Sequence, residues 1–339
     1  MRRALLLIPA LPIVALLAAG SVLGQSKAGT SVGQFLLIEP SARIAAMGNA
    51  GATMYGEVQA SYYNPAAIGL FASNGVQFTH SPWIADITYD YAGAGVTLGN
   101  FGNIYASVTS LNSGDIDVRT VDQPLGTGER YSVSDLAFGL GYGRKISDRF
   151  SVGLQVSYLQ ETIWHSSMSA FALNVGTLYR ISENGVHIGA SISNFGTRPR
   201  FNGVDLRVLY DQNPARFGDN ASLPAELLTD DFPLPILFRV GIGMPVALNN
   251  ANTIHFSVDA FHPSDNTESI SAGAEWAYDN TLFVRGGYQN LFMQDSELGL
   301  TLGAGVLYGL DTYKVSFDYA WANNGRLKET NRFTLGISF

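Results

Sequence analysis

Asn331-Arg332-Phe333-Thr334-Leu335-Gly336-Ile337-Ser338-Phe339 is the stretch that decides how the rest of the sequence is read. Phe333, Leu335, Ile337 and Phe339 alternate with Thr334, Gly336 and Ser338. Successive side chains of a strand point to opposite faces, so the stretch is an extended strand with one apolar face and one polar or small face. Such a strand suits the edge of a soluble β-protein or the wall of a membrane barrel. The composition of the whole chain separates the two.

The chain has 339 residues, long enough for one large β-domain, and only 14% of them are charged. Soluble domains carry about 25%. Aromatic residues make up 12% and there are 37 glycines. Mean hydropathy is positive, +0.11. Yet past the first 20 residues no apolar run reaches the ~20 residues of a membrane helix. Apolar residues that are plentiful but never clustered must be dispersed by alternation, and that is how a transmembrane barrel is written. The strand carrying Phe333, Leu335, Ile337 and Phe339, closed by an aromatic, resembles the insertion signal of bacterial outer-membrane barrels.

The other end of the chain agrees. Met1-Arg2-Arg3 is followed by an apolar run from Ala4 to Gly20 and by Ser21-Val22-Leu23-Gly24-Gln25. A basic start, an apolar middle and small residues at the end describe a signal peptide over 1–24. Removing Arg2 and Arg3 would take the formal charge from −8 to −10, which argues against a nucleic-acid partner. The sequence contains no cysteine, so disulfides, thiol catalysis, cysteine-ligated metals and a lipid-anchored N-terminal cysteine are excluded.

Fourteen strands are expected between Gly75 and Phe339: 75–83, 87–99, 102–113, 134–146, 149–163, 169–181, 186–196, 235–246, 252–263, 268–279, 281–290, 299–309, 312–322 and 331–339. Most are near the ~10 residues of a tilted membrane strand, and an even count fits a single-chain bacterial barrel. Alternate connections are short, as at Asn100-Phe101, Ser147-Asp148 and Leu310-Asp311. The others are mostly longer: 114–133, 164–168, 197–234, 264–267, 291–298 and 323–330. Short turns at one end and longer loops at the other place the short turns in the periplasm.

The faces follow from parity. Tyr313, Val315, Phe317, Tyr319 and Trp321 share one side of their strand, opposite Lys314, Ser316, Asp318 and Ala320. A charge facing lipid costs about 2–4 kcal/mol at mid-membrane. Arg239, Asp259, Glu275, Arg285, Lys314 and Asp318 are therefore expected inside. Trp276, Tyr278, Tyr319 and Trp321 lie near strand ends, where an aromatic girdle belongs. Residues 25–74 precede the wall, too few for a core of their own, and are expected to plug the lumen. Within them Ser41 caps a predicted helix that ends at Gly48, and Arg43 is expected to pair with one of the lumen acids.

This N-terminal block resembles the PorV/PorQ family of outer-membrane proteins, a branch of the FadL-like barrels. The matching residues are Phe35-Leu36, then Pro40-Ser41-Ala42-Arg43 through Ala46-Met47-Gly48, then Asn64-Pro65-Ala66, and Trp83 after the first strand. FadL-like barrels admit hydrophobic small molecules through a plugged lumen and an opening in the wall. PorV-type members serve type IX secretion by binding the C-terminal signal domain of cargo, and PorQ-type members have a related accessory role. The resemblance implies one of these and does not choose between them.

Catalysis is not expected. The histidines are His80, His165, His187, His255 and His262, and no G-x-S-x-G occurs. His255, Asp259 and His262 look like metal ligands, but on a strand His262 points away from the other two, so neither a metal nor another cofactor is expected. The loop 197–234 carries Leu206, Val208, Leu209, Tyr210, Leu227 and Leu228 among mixed charges. It is either a partner-binding surface or a cover folded over the barrel mouth. The loop from Gly114 to Val133 is expected to be solvated.

The reading is an all-β, 14-stranded antiparallel transmembrane β-barrel over 75–339 with an N-terminal helical plug in the lumen, set in the bacterial outer membrane. Its expected partners are membrane lipid and secreted cargo or secretion subunits. The alternative is transport of hydrophobic small molecules.

Overall fold

Fourteen antiparallel strands run in chain order around the wall: β1 (Gly75–Pro82), β2 (Thr88–Thr97), β3 (Asn103–Asn112), β4 (Val133–Lys145), β5 (Phe150–Ile163), β6 (Ser166–Arg180), β7 (His187–Gly196), β8 (Leu237–Ala247), β9 (Asn252–Pro263), β10 (Ser269–Tyr278), β11 (Leu282–Leu291), β12 (Leu300–Leu310), β13 (Tyr313–Asn323) and β14 (Glu329–Ser338). The computed structural model describes residues 28–182, 185–218, 222–293 and 296–339. The expected signal peptide lies outside the described residues.

Each strand pairs with its chain neighbours, and β14 pairs back onto β1, with Val76 opposite Ile337, Phe78 opposite Leu335 and His80 opposite Phe333. The stretch 331–339 therefore closes the barrel. Closure matters because every unpaired backbone group facing hydrocarbon would cost several kcal/mol. Its two faces part as alternation requires. Leu335 is 47% exposed and Thr334 is 0% exposed.

The expected strands are all present, with ends displaced by up to three residues. One connection differs in kind. The loop expected over 164–168 is a two-residue turn, Trp164-His165, because β6 starts at Ser166. Outward-facing Gln160 and Ser169 lie beyond the apolar belt. There the pattern inverts, polar outside and apolar inside at Leu159 and Met168, and Ser166-Ser167 starts β6 with polar residues on both faces, so lipid-facing alternation no longer marks the strand's start. The loop 113–132 also carries a short hairpin, Ile116–Asp117 with Arg130–Tyr131.

The plug is less helical than the sequence suggests. The segment 41–48 forms a single turn, α1 (Ala42–Ala45), whose N-cap Ser41 accepts a hydrogen bond from the Ile44 N–H at 3.3 Å. A second turn, α2 (Ala60–Tyr63), leads to Asn64, whose Oδ1 accepts from the Ala66 N–H at 3.0 Å and caps the 3₁₀ segment Pro65–Leu70. Pro65 suits the first position of that segment because its missing N–H would have no partner there anyway. Wall side chains satisfy other plug groups. Thr334 Oγ1 accepts from the Ala42 N–H at 3.1 Å, and Thr301 Oγ1 accepts from the Gly48 N–H at 3.0 Å.

Glycines on the inner wall let the plug backbone approach. A Cβ on Gly273 or Gly287 would collide with Met47, and one on Gly153 or Gly176 would collide with Pro65 or Asn64. Gly48 itself has φ +69°, and a Cβ there would stand 2.8 Å from the Tyr288 carbonyl oxygen. The motif residues Met47-Gly48 and Asn64-Pro65 are thus among the points of closest contact between plug and wall, as is Ala52 against Gly189. Overpacking such a contact costs about 1–3 kcal/mol. Gly287→Leu should leave a folded, heat-modifiable barrel whose plug is digested by protease about tenfold faster; unchanged digestion would show that the plug does not rest there.

Candidate functional site

Two charged latches fix the plug to the wall. Arg43 donates from Nε to Glu275 Oε2 at 2.8 Å and from Nη2 to Oε1 at 2.6 Å. Arg285 donates from Nε to the same Oε2 at 2.6 Å and from Nη1 to Asp318 Oδ1 at 2.6 Å. The result is a chain of two cations and two anions running from α1 across β10, β11 and β13. The second latch joins Glu39 of the plug to Arg239 of β8. Arg239 also donates from Nη1 to the Tyr63 carbonyl at 3.0 Å and lies over the Tyr63 and Phe261 rings at 5.2 and 5.0 Å.

Arg239, Asp259, Glu275, Arg285 and Asp318 all point inward, as parity requires, and none is more than 5% exposed. A charge buried without a partner is costly, and four of these five, all but Asp259, meet an opposite charge. Lys314 sits at the periplasmic end of β13, exposed. Of the three residues that resembled metal ligands, His255 and Asp259 face the lumen. His262 stands outside on β9, 3.0 Å from Glu268. Asp259 instead holds the plug, accepting from the Ala52 N–H at 2.7 Å.

The plug divides the lumen. A cavity of about 520 Å³ opens at the short-turn end, between the plug residues Arg43, Glu57 and Phe71 and the wall residues Arg285 and Lys314. Another of about 380 Å³ opens at the loop end, beside Leu37, Glu39 and Asp265. A separate void of about 30 Å³ lies next to Tyr62, Gln155 and Arg239, room for a water or two.

One feature of the lumen has no counterpart in the sequence reading. Phe35 and Leu36 are buried against Leu159, Met168, Ala170 and Leu234, an apolar cluster that joins the plug to the inner face of β5 and β6. It lies where the wall is irregular. The register between β6 and β7 shifts between Leu173 and Val175, Asn194 has φ +62°, and the upper end of β6 pairs with Asn202–Gly203 instead of β7. The Val32 N–H donates to the Pro233 carbonyl at 3.1 Å, which ties the start of the plug to the base of the long loop 197–236. Inward-facing apolar residues on β5 and β6 (Leu159, Met168) were the available signal.

The long loop is partly folded in and partly exposed. Leu234 at its base is buried, whereas its hairpin, Arg207–Tyr210 with Leu223–Glu226, stands clear. Leu209 and Leu228 are 74% and 81% exposed. Tyr210 and Leu227 are exposed too, and Leu206 and Val208 are half-buried. A cleft of about 720 Å³ separates this loop from the hairpin at 116–131. Trp164 borders it, held at φ +53° and stacked on His165 at 4.6 Å, and His165 Nδ1 is 3.0 Å from Asp205. A bulky residue in the left-handed region is strained, and such strain collects at functional positions. On the opposite rim the Arg326 N–H and guanidinium hold the Glu297 carboxyl below its ordinary range.

Arg43→Ala removes one latch but leaves Glu275 its bond to Arg285, so the barrel should persist. Losing a charge-assisted bidentate contact should cost about 2 kcal/mol, a roughly 30-fold rise in plug opening. Hydrogen exchange over residues 42–48 should quicken by that factor; an unchanged rate would remove the latch from the account.

Known proteins agree with this architecture. The toluene transporter TodX of Pseudomonas putida superposes with a TM-score of 0.56 at 13% identity, over 89% of this chain and 98% of the transporter. The toluene transporter TbuX of Ralstonia pickettii gives 0.53 at 13% identity, over 88% and 97%. At such identity the likeness is one of fold: a FadL-like outer-membrane barrel. No curated protein sequence matches the chain. The sequence model of the family described as type IX secretion system protein PorV matches residues 23–207, from before the plug through β7 and into the long loop. The chain is an outer-membrane barrel that belongs to the PorV family.

Proposed function

We propose that this barrel is a non-catalytic accessory of type IX secretion that holds secreted cargo or other secretion subunits at its surface loops. The observation that carries the reading is the contrast between lumen and rim. The lumen holds a plug that two charged latches tie to the wall. The rim exposes Leu209, Tyr210, Leu227 and Leu228 beside a cleft and an aromatic stack. Apolar residues clustered outside and rimmed by charge suit a protein partner.

A second reading has one observation in its favour. The apolar cluster at Phe35 and Leu36 lies beside the irregular β6–β7 junction. If that plug segment withdrew, the space would suit a hydrophobic small molecule, the kind of substrate that the names of the two toluene transporters give. As it stands, the space is filled by the chain itself.

The two readings part in cells of the native host. Leu209→Asp combined with Leu228→Asp leaves wall and plug intact and should lower secretion of type IX cargo at least tenfold, as truncating an interface hot spot worth about 2 kcal/mol would. Barrel abundance should not change. Full secretion with this variant, together with hydrophobe uptake that depends on the protein, would replace the first reading by the second.

A further inference from the structure

The vestibule at the short-turn end faces the periplasm, away from the loops. Its volume of about 520 Å³ falls within the 300–1,000 Å³ or so typical of ligand sites. The charges along its inner end, Arg43, Arg285 and Asp318, are committed to the latch. Two other charged groups face the same space, Glu57 of the plug and Lys314 of β13. Neither belongs to an ion pair among the described residues.

Glu57 has only neutral donors. Ser41 Oγ donates to its Oε1 at 3.0 Å and Gln77 Nε2 to its Oε2 at 3.4 Å. Nothing stands within 4 Å of a Cβ built on the adjoining Gly56, so the approach to Glu57 is open. Phe71 from the plug and Phe283 from β11 supply an apolar flank. A half-buried carboxylate hydrogen-bonded only to neutral groups, with the nearby Arg43 and Arg285 already bonded in the latch, an open approach and an apolar flank together suit a long basic side chain, which lays its methylenes on apolar surface and keeps its charge at the tip.

We infer that the vestibule binds a basic side chain of a periplasmic polypeptide, with the ammonium or guanidinium on Glu57, the stem on Phe71 and Phe283, and a neighbouring acidic group on Lys314. A free polyamine has the same cationic chemistry, but it would leave the aromatic flank and Lys314 unmatched. The site would give the barrel a periplasmic partner besides whatever its loops hold, and it does not depend on the secretion role.

Purified full-length barrel in detergent micelles, titrated calorimetrically with defined probes, tests this. Acetyl-Phe-Lys-Glu-amide should bind at least tenfold more tightly than the same peptide with norleucine for lysine. Glu57→Gln should abolish that preference, and Lys314→Met should weaken the lysine peptide about fivefold. Ser316→Phe fills the vestibule from the wall while leaving Glu57 and its partners in place, and should abolish binding even if Glu57→Gln disturbs the plug. Equal binding of the two peptides, a preference that survives Glu57→Gln, or spermidine binding as tightly as the lysine peptide would each overturn the inference.

Discussion

A charge on this wall cannot face hydrocarbon, and a charge buried in the lumen is costly without a partner. The first constraint drives Arg239, Glu275, Arg285 and Asp318 inward. The second favours opposite charges beside these four, and the wall does not supply all of them. Glu275 and Arg285 lie opposite each other on β10 and β11, and Asp318 completes that side, but among the described residues Arg239 forms its ion pair with Glu39 of the plug. Arg43 likewise finds Glu275 only across the lumen. Wall and plug therefore specify one another. Removing the plug would strand Arg239 as a buried cation, and removing the wall acids would strand Arg43.

Backbone geometry turns this electrostatic match into a fitted one. The segments that carry the latches end at Met47-Gly48 and Asn64-Pro65, where the plug meets glycines on the wall. Threonines on β12 and β14 satisfy the plug N–H groups that its short turns leave without helical partners. Thr334, on the polar face of the strand that closes the barrel, also receives the plug. One alternating stretch thus serves closure and plug seating through its two faces.

The wall was legible because period-two alternation holds wherever one face meets lipid and the other the lumen. It failed at the tops of β5 and β6, where Gln160 and Ser169 outside are polar and Leu159 and Met168 inside are apolar, the reverse of the lipid-facing pattern. The inward placement of Arg285 and Asp318 followed from parity alone. That Arg43 would find an acid was expected from charge. That the acid is Glu275 depends on the register between plug and wall, which no single segment encodes. Ser41 marked the start of the plug's first turn, but the helix stops at Ala45, three residues short of Gly48. Gly273 and Gly287 were visible as gaps in the inward face, yet their meaning needs the plug opposite. The exposed hairpin at 207–226 was least legible, since its apolar residues follow no period.

The plug is latched across the lumen, and the surfaces that this account assigns to binding lie at the two ends. Membership of the PorV family and a FadL-like wall are compatible with that division. The most direct test is the conductance of the purified protein in a planar lipid bilayer. The account predicts no steady current through the native barrel, because the plug is latched across the lumen. Regular open-channel steps from the native protein would contradict it and show that the plug does not close the pore.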